Sequence, residues 1–119
     1  MIENNILAEK TLSFALRIIK CYQYLQEEKK VYVMSKQILR SGTSVGANVH
    51  EAVYAQSKAD FINKLSISLK EASETSYWLV LLSKSAYIDE NIYMSMKNEV
   101  DEIIRIIISS IKTTRRNEK

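Results

Sequence analysis

Proline is absent from this chain of 119 residues, and glycine occurs only twice. Because these two residues interrupt helices and form turns, their scarcity favours long, unbroken helices. The single cysteine cannot form an internal disulfide. No apolar run approaches the ~18 residues of a membrane-spanning helix, and the first residues lack the basic start and apolar core of a signal peptide. We expect a soluble, cytoplasmic protein that does not associate with membranes.

The scarcity of histidine and cysteine excludes several kinds of catalytic or metal site. A structural zinc site needs a cluster of these residues. A di-iron bundle needs Glu-x-x-His pairs, whereas the residue three places before the only histidine, His50, is Ala47. No Gly-Lys-Ser or Gly-Lys-Thr sequence is present to cradle a phosphate. We expect a protein without enzymatic activity, cofactor, metal or small-molecule substrate.

Apolar residues recur at three- and four-residue steps through most of the chain, which predicts four helices. These helices cover about residues 5–28, 36–56, 58–85 and 90–114. The expected N-caps of the last three are Ser35, Ser57 and Asp89. On the third helix, the expected core-facing residues are Phe61, Leu65, Leu69, Ala72, Ser76, Leu79 and Ser83. Because short connections place neighbouring helices antiparallel, the predicted fold is all-α, an antiparallel up-down-up-down four-helix bundle, in one domain of residues 1–119.

Both glycines, Gly42 and Gly46, fall on the predicted second helix, four residues apart. In a helix they lie one above the other on the same face. Each destabilises the helix by roughly 1 kcal/mol relative to alanine. Two such costs within one turn predict that a neighbouring helix packs closely against this face.

A polar stripe at helical spacing runs beside the glycines and consists of Arg40, Ser44, Asn48 and Glu51. Together with Glu74 of the third helix, it is interpreted as structural, because small polar residues can specify the register of a bundle through satisfied hydrogen bonds. We expect Asn48 and Glu51 to be partly buried and to bond to Arg40 or to the third helix.

Two acids of the third helix, Glu71 and Glu74, could hold a hard cation together with Glu51. The alternative is an ion pair or hydrogen bond to Arg40, Lys64 or the polar stripe. We favour this alternative.

The third and fourth helices are apolar on more than one face. The third adds Tyr77, Trp78, Val80 and Leu81 beside its core stripe, and the fourth contains the segment Ile103–Ile111. A helix that is apolar on two faces usually buries both. This excess predicts a homo-oligomer, since a second copy of the chain is the simplest partner.

The formal charge is +3, from 17 basic and 14 acidic residues. Two clusters are candidate contacts for nucleic acid. One comprises Lys29, Lys30, Lys36 and Arg40, and the other comprises Lys112, Arg115 and Arg116. For the second cluster, the alternative is a solvated tail that suits the negative end of a helix dipole, and we favour this alternative from the sequence.

The segment from Ser35 to Glu51 and the helix that follows it resemble a known family, the bundle proteins encoded within intervening sequences of bacterial 23S ribosomal RNA genes. The residues that match the family pattern are Gln37, Arg40, Ser44, Ala47, Asn48, Glu51, Ser57, Phe61 and Glu74. The chain departs from the pattern at Ala52, where the family commonly has glycine, at His50, where alanine is common, and at Gly46, a place often held by proline or another residue.

The resemblance covers about residues 10–110 and implies a left-handed antiparallel bundle whose relatives form rings of five, so we favour a pentamer. A more distant resemblance, to the accessory bundle protein of diversity-generating retroelements, implies RNA or a ribonucleoprotein as a partner, because that protein binds a reverse transcriptase and nucleic acid. We therefore hypothesise a non-enzymatic homo-oligomer that binds RNA or a ribonucleoprotein. The alternative is a protein–protein interaction scaffold with no nucleic-acid role.

Overall fold

A computed structural model describes residues 2–117 of the chain, and for residues 2–5 only the backbone. These residues form four helices, which are α1 (Ile2–Glu27), α2 (Val33–Val53), α3 (Lys58–Lys84) and α4 (Glu90–Arg116). Each helix packs against the next, and α4 packs against α1; among the described residues, the two diagonal pairs make no such contacts. The bundle measures 51 × 21 × 19 Å. The prediction of an all-α, up-down-up-down four-helix bundle is confirmed.

The core is formed by one stripe of side chains from each helix. On α1, the buried stripe consists of Leu7, Thr11, Phe14, Ile18, Cys21 and Leu25. On α3, the buried stripe differs in part from the predicted one, because Ser68, Thr75 and Leu82 are fully buried whereas Leu69, Ser76 and Ser83 are only partly buried. Hydroxyl groups therefore lie in the interior of the bundle, where they need hydrogen-bond partners.

Two of the three predicted N-caps are confirmed. The Ser57 hydroxyl accepts a hydrogen bond from the Asp60 backbone N–H at 3.0 Å, and the Asp89 carboxylate accepts one from the Ile92 N–H at 2.8 Å. Both capping residues have extended backbone, which is typical of N-caps. These caps fix the starts of α3 and α4.

The prediction of Ser35 as the N-cap of the second helix is wrong. Helix α2 begins at Val33, and its N-cap, Tyr32, makes no side-chain capping bond. Ser35 is fully buried; its hydroxyl donates to the Tyr32 carbonyl and accepts from the Gln26 amide. It therefore ties the α1–α2 connection together. At its other end, α2 stops at Val53, three residues earlier than expected.

In the part of the chain that the structure describes, no helix has the length and apolar character needed to cross a lipid bilayer.

Candidate functional site

The two glycines lie where α2 approaches α1. A Cβ atom on Gly42 would be only 2.7 Å from Cγ1 of Ile18, and one on Gly46 would be 3.3 Å from the backbone oxygen of Thr11. The Gly42 position is buried, whereas Gly46 is partly exposed. At these two positions the α2 backbone therefore packs directly onto residues of α1.

Buried hydroxyl groups join α2 to α3. The Ser68 hydroxyl of α3 donates to the backbone carbonyl of Val45 in α2 at 2.7 Å. The Thr75 hydroxyl lies 2.9 Å from the Ser41 hydroxyl and 2.8 Å from the Glu71 carbonyl. Because Ser41, Ser68 and Thr75 are fully buried, these bonds favour one register between the two helices.

Arg40 forms ion pairs across the outer edge of the interface between α2 and α3, which we call the α2–α3 seam. Its guanidinium lies 3.0 Å from the Glu71 carboxylate and also pairs with Glu74. The Trp78 indole N–H donates to Glu74 at 3.0 Å. The indole and Arg40 bonds hold the pKa of the Glu74 carboxyl below its ordinary value. The structure thus has the ion pair that we favoured over a cation site.

The rest of the polar stripe bonds mainly within α2. The Ser44 hydroxyl donates to the Arg40 carbonyl at 2.7 Å, and the partly buried Asn48 amide donates to the Ser44 carbonyl at 2.8 Å. Glu51 is exposed, contrary to expectation, because it lies on the outer side of α2. It still reaches α3, where Lys64 is 2.9 Å away, and this pairing raises the pKa of Lys64.

The hydrogen bonds and ion pairs of the α2–α3 seam hold the two helices together. Among the described side chains, no three His, Cys, Asp or Glu residues are grouped closely enough to hold a metal ion. His50 is exposed and stacks edge-on against Tyr54, with ring centres 5.4 Å apart.

The two candidate basic clusters lie at opposite ends of the bundle. Lys29, Lys30 and Lys36 surround the α1–α2 connection, whereas Lys112, Arg115 and Arg116 lie at the end of α4. Because α1 and α4 run antiparallel along a bundle 51 Å long, one chain cannot combine both clusters in a single site. Arg40 is bound to α3 acids, as described, and does not extend the first cluster.

The outer face of the end of α4 carries four cations close together. A shallow groove of about 650 Å³ is lined there by Arg105, Ile108, Ser109, Lys112, Thr113, Arg115 and Arg116, so no acid lines it among the described residues. We call its four cations, Arg105, Lys112, Arg115 and Arg116, the α4 basic face. At the opposite end, acids lie near the lysines, namely Glu27 and Glu28 at the end of α1 and Asp89 and Glu90 at the start of α4.

A sequence profile described as 23S rRNA-intervening sequence protein matches residues 3–109. The chain belongs to this family. A solved relative is the 1.70 Å crystal structure of a protein with unknown function from the S23 ribosomal protein family of Bacteroides thetaiotaomicron VPI-5482. It is 55% identical, superposes with a TM-score of 0.91, and the match covers 92% of this chain and 98% of that one. No curated protein matches the chain.

In this family member, an exposed apolar face lies on α1, whereas the sequence analysis placed the apolar excess on the third and fourth helices. Leu12 is 63% exposed, Leu16 55% and Ile19 38%. On the helices that were singled out, Tyr77 and Ile108 are exposed, whereas Trp78, Val80 and Leu81 are partly buried. The i, i+4, i+7 spacing of the α1 residues was the available signal.

Proposed function

We propose that this protein is a non-enzymatic homo-oligomer that binds RNA through the α4 basic face. The observation that carries the proposal is the groove at the end of α4, where four cations lie together without an acid among the described lining residues. Lys and Arg side chains that neutralise phosphates supply most of the sequence-independent affinity for nucleic acid. Ser109 and Thr113 add hydroxyl donors of the kind that contact phosphate oxygens.

The helix dipole does not account for the whole cluster. Its favourable effect on cations is limited to about the last turn of a helix. This effect suits Arg115 and Arg116, which lie in the last turn of α4. Arg105 lies eleven residues before Arg116, or about 16 Å along the axis at 1.5 Å per residue. Arg105 is therefore too far from the helix end to be explained by the dipole, and its place in the groove favours a contact with an extended anion.

A matched pair of triple variants tests the RNA contact. K112Q/R115Q/R116Q removes three charges from the α4 basic face, and K29Q/K30Q/K36Q removes three from the other end of the bundle. Binding of a labelled single-stranded RNA and of a structured RNA is measured from 50 to 200 mM salt. We expect the α4 variant to weaken binding and to flatten the salt dependence by about 0.7 for each phosphate that the protein no longer neutralises.

The control variant should change the affinity much less, although its net charge is the same. Equal losses in the two variants would mean that only the net charge matters, and the proposed site would be wrong. If the unmodified protein binds neither RNA at tens of micromolar, the protein-scaffold alternative replaces the RNA proposal.

The homo-oligomer is supported by the exposed apolar face of α1, formed by Leu12, Leu16 and Ile19. Burying such a face against another copy removes apolar surface from water, and the family resemblance implies a ring of five. A ring would also repeat the α4 basic face, so that weak phosphate contacts gain avidity.

Light scattering at micromolar concentration tests the assembly. We expect Leu16→Glu to dissociate the oligomer, because it places a charge in the apolar face, and Asn98→Glu on the exposed side of α4 to leave it intact. A mass of 13.7 kDa for the unmodified chain would show a monomer and contradict this part of the proposal.

A further inference from the structure

An exposed aromatic ring lies at the tip of α2. Tyr54, the C-cap of this helix, is 74% exposed, more than any other tyrosine among the described residues. Its ring contacts His50 edge-on, at 5.4 Å between ring centres. Most of the Tyr54 side chain is therefore accessible to a flat aromatic partner from outside the bundle.

The up-down topology brings the tip of α2 to the same end of the bundle as the basic end of α4. The ammonium group of Lys58, the first residue of α3, donates to the backbone carbonyl of Asn117, the C-cap of α4. A cavity of about 290 Å³ spans this end, and its lining includes Val53 of α2 together with Thr114 and Asn117. The last two arginines of the α4 basic face lie between Thr114 and Asn117 in the sequence. The α4 basic face therefore adjoins the end of the bundle on which Tyr54 lies.

The two surfaces offer different contacts to a nucleic acid. The groove at the end of α4 is lined by cations, hydroxyls and one isoleucine, with no aromatic ring among its described lining residues. Cations bind phosphates, which carry no information about the bases. An aromatic side chain such as Tyr54 stacks on a base, and inside a duplex the faces of the bases are already covered by their neighbours.

The shape of the bundle also favours a flexible nucleic acid. The α4 basic face lies along the side of the bundle, whereas Tyr54 lies at its end, so a strand that contacts both must turn a corner. It must do so within a cross-section of 21 × 19 Å. A double helix is far too stiff for this turn, since the persistence length of duplex DNA is about 50 nm. A single strand can make it.

We propose that the RNA partner is single-stranded, and that one unpaired base stacks on Tyr54 while neighbouring phosphates lie on the α4 basic face. This inference rests on the proposed RNA function and adds to it the class of RNA. Because every base has a π-face, stacking tolerates any base identity. The two contacts together select for single strands and leave the sequence free.

Tyr54→Ala and Tyr77→Ala form a matched pair, because each removes an exposed tyrosine ring and only Tyr54 lies at this end of the bundle. Fluorescence anisotropy measures binding of a labelled single-stranded RNA of mixed sequence and of a long duplex that contains it. We expect Tyr54→Ala to weaken single-strand binding by about fivefold to a hundredfold and to leave duplex binding unchanged. Tyr54→Phe, which keeps the ring, should keep the affinity, and Tyr77→Ala should change neither affinity. Thermal melts check that all three variants fold.

The salt dependence separates this inference from the proposed function. Stacking releases no counterions, so Tyr54→Ala should lose the same factor at about 50 and about 200 mM salt, whereas K112Q/R115Q/R116Q should flatten the dependence. If the charge variant behaves in this way but Tyr54→Ala binds the single strand as the unmodified protein does, only the stacking contact is wrong. Equal losses of single-strand and duplex binding in Tyr54→Ala would also overturn it. If the unmodified protein binds neither RNA, both proposals are wrong.

Discussion

Ile18 of α1 packs directly on the backbone of Gly42 in α2. A Cβ atom added at Gly42 would lie 2.7, 2.8 and 2.9 Å from three carbon atoms of the Ile18 side chain, which is itself fully buried. Because isoleucine is branched at Cβ and stiff about χ1, it cannot move aside without displacing its neighbours. The distance between α1 and α2 at this level is therefore set by the absence of a side chain.

Gly42→Ala should destabilise the protein by about 1–3 kcal/mol through overpacking, even though alanine favours the helix by roughly 1 kcal/mol. Gly46→Ala should lose less, because its nearest contact, the Thr11 oxygen, is 3.3 Å away. Urea unfolding measures both. In an Ile18→Ala background the cost of Gly42→Ala should disappear; an unchanged cost would show that the contact is not its cause.

Ala86→Gly should raise the free energy of unfolding by up to about 1 kcal/mol. Ala86 has a positive φ of 62° and follows Ser85, the C-cap of α3; its N–H and that of Tyr87 bond to the carbonyls of Ser83 and Leu82. This left-handed position strains any residue with a Cβ. Ser85→Gly at the preceding position, with φ of −88°, should instead lower stability, since glycine relieves no strain there. Thermal melts of the two variants would separate strain relief from a general glycine effect.

Glu74→Gln should make stability less dependent on pH in the acidic range. The pKa of Glu74 is lowered in the folded protein by the Trp78 indole and by Arg40. Its contribution is therefore fully present above the unfolded pKa of about 4.3 and is lost as the pH falls through the lower folded pKa. At pH 7 the loss in Glu74→Gln should stay within about 1 kcal/mol, because the pair is partly exposed.

The difference between this variant and the unmodified protein should shrink on acidification, as followed by urea unfolding from pH 7 downward. Trp78→Phe removes the indole donor but keeps Arg40, so it should retain part of the pH dependence. A difference that stays constant with pH would contradict a role for the Glu74 charge.

Cys21 should react very slowly with thiol reagents in the folded protein. It is only 8% exposed, and burial raises its pKa from 9.0 to about 11, so the reactive thiolate is about a hundredfold scarcer. Colorimetric disulfide exchange at pH 8 should give a rate that rises strongly in urea. A native rate close to the unfolded rate would show that α1 opens easily at this position.

Local sequence signals were reliable where the physics is local. Ser57 and Asp89 cap the backbone N–H groups three residues ahead of them, and such bonds depend on neighbouring residues alone. Ser35 is also a serine near the start of a helix, but α2 already begins at Val33. The Ser35 hydroxyl instead bonds to the Tyr32 carbonyl and to the Gln26 amide, and Gln26 lies on α1, outside the segment that predicted the cap. Glu51 was expected to be partly buried, but its exposure depends on where α3 lies, which no spacing within α2 reveals.

The sequence by itself determined the number of helices, their order, the bundle class and the family, because apolar periodicity, the lack of proline and a characteristic polar stripe are all readable along the chain. Only the tertiary structure decided how each helix is rotated about its axis. On α3, the hydroxyls of Ser68 and Thr75 bond to α2 and turn inward, at positions where periodicity favoured Leu69 and Ser76. The tertiary structure also separated the two basic clusters to opposite ends of the bundle. Such placements depend on which side chains meet across a seam, and that is a property of the packed helices rather than of any one segment.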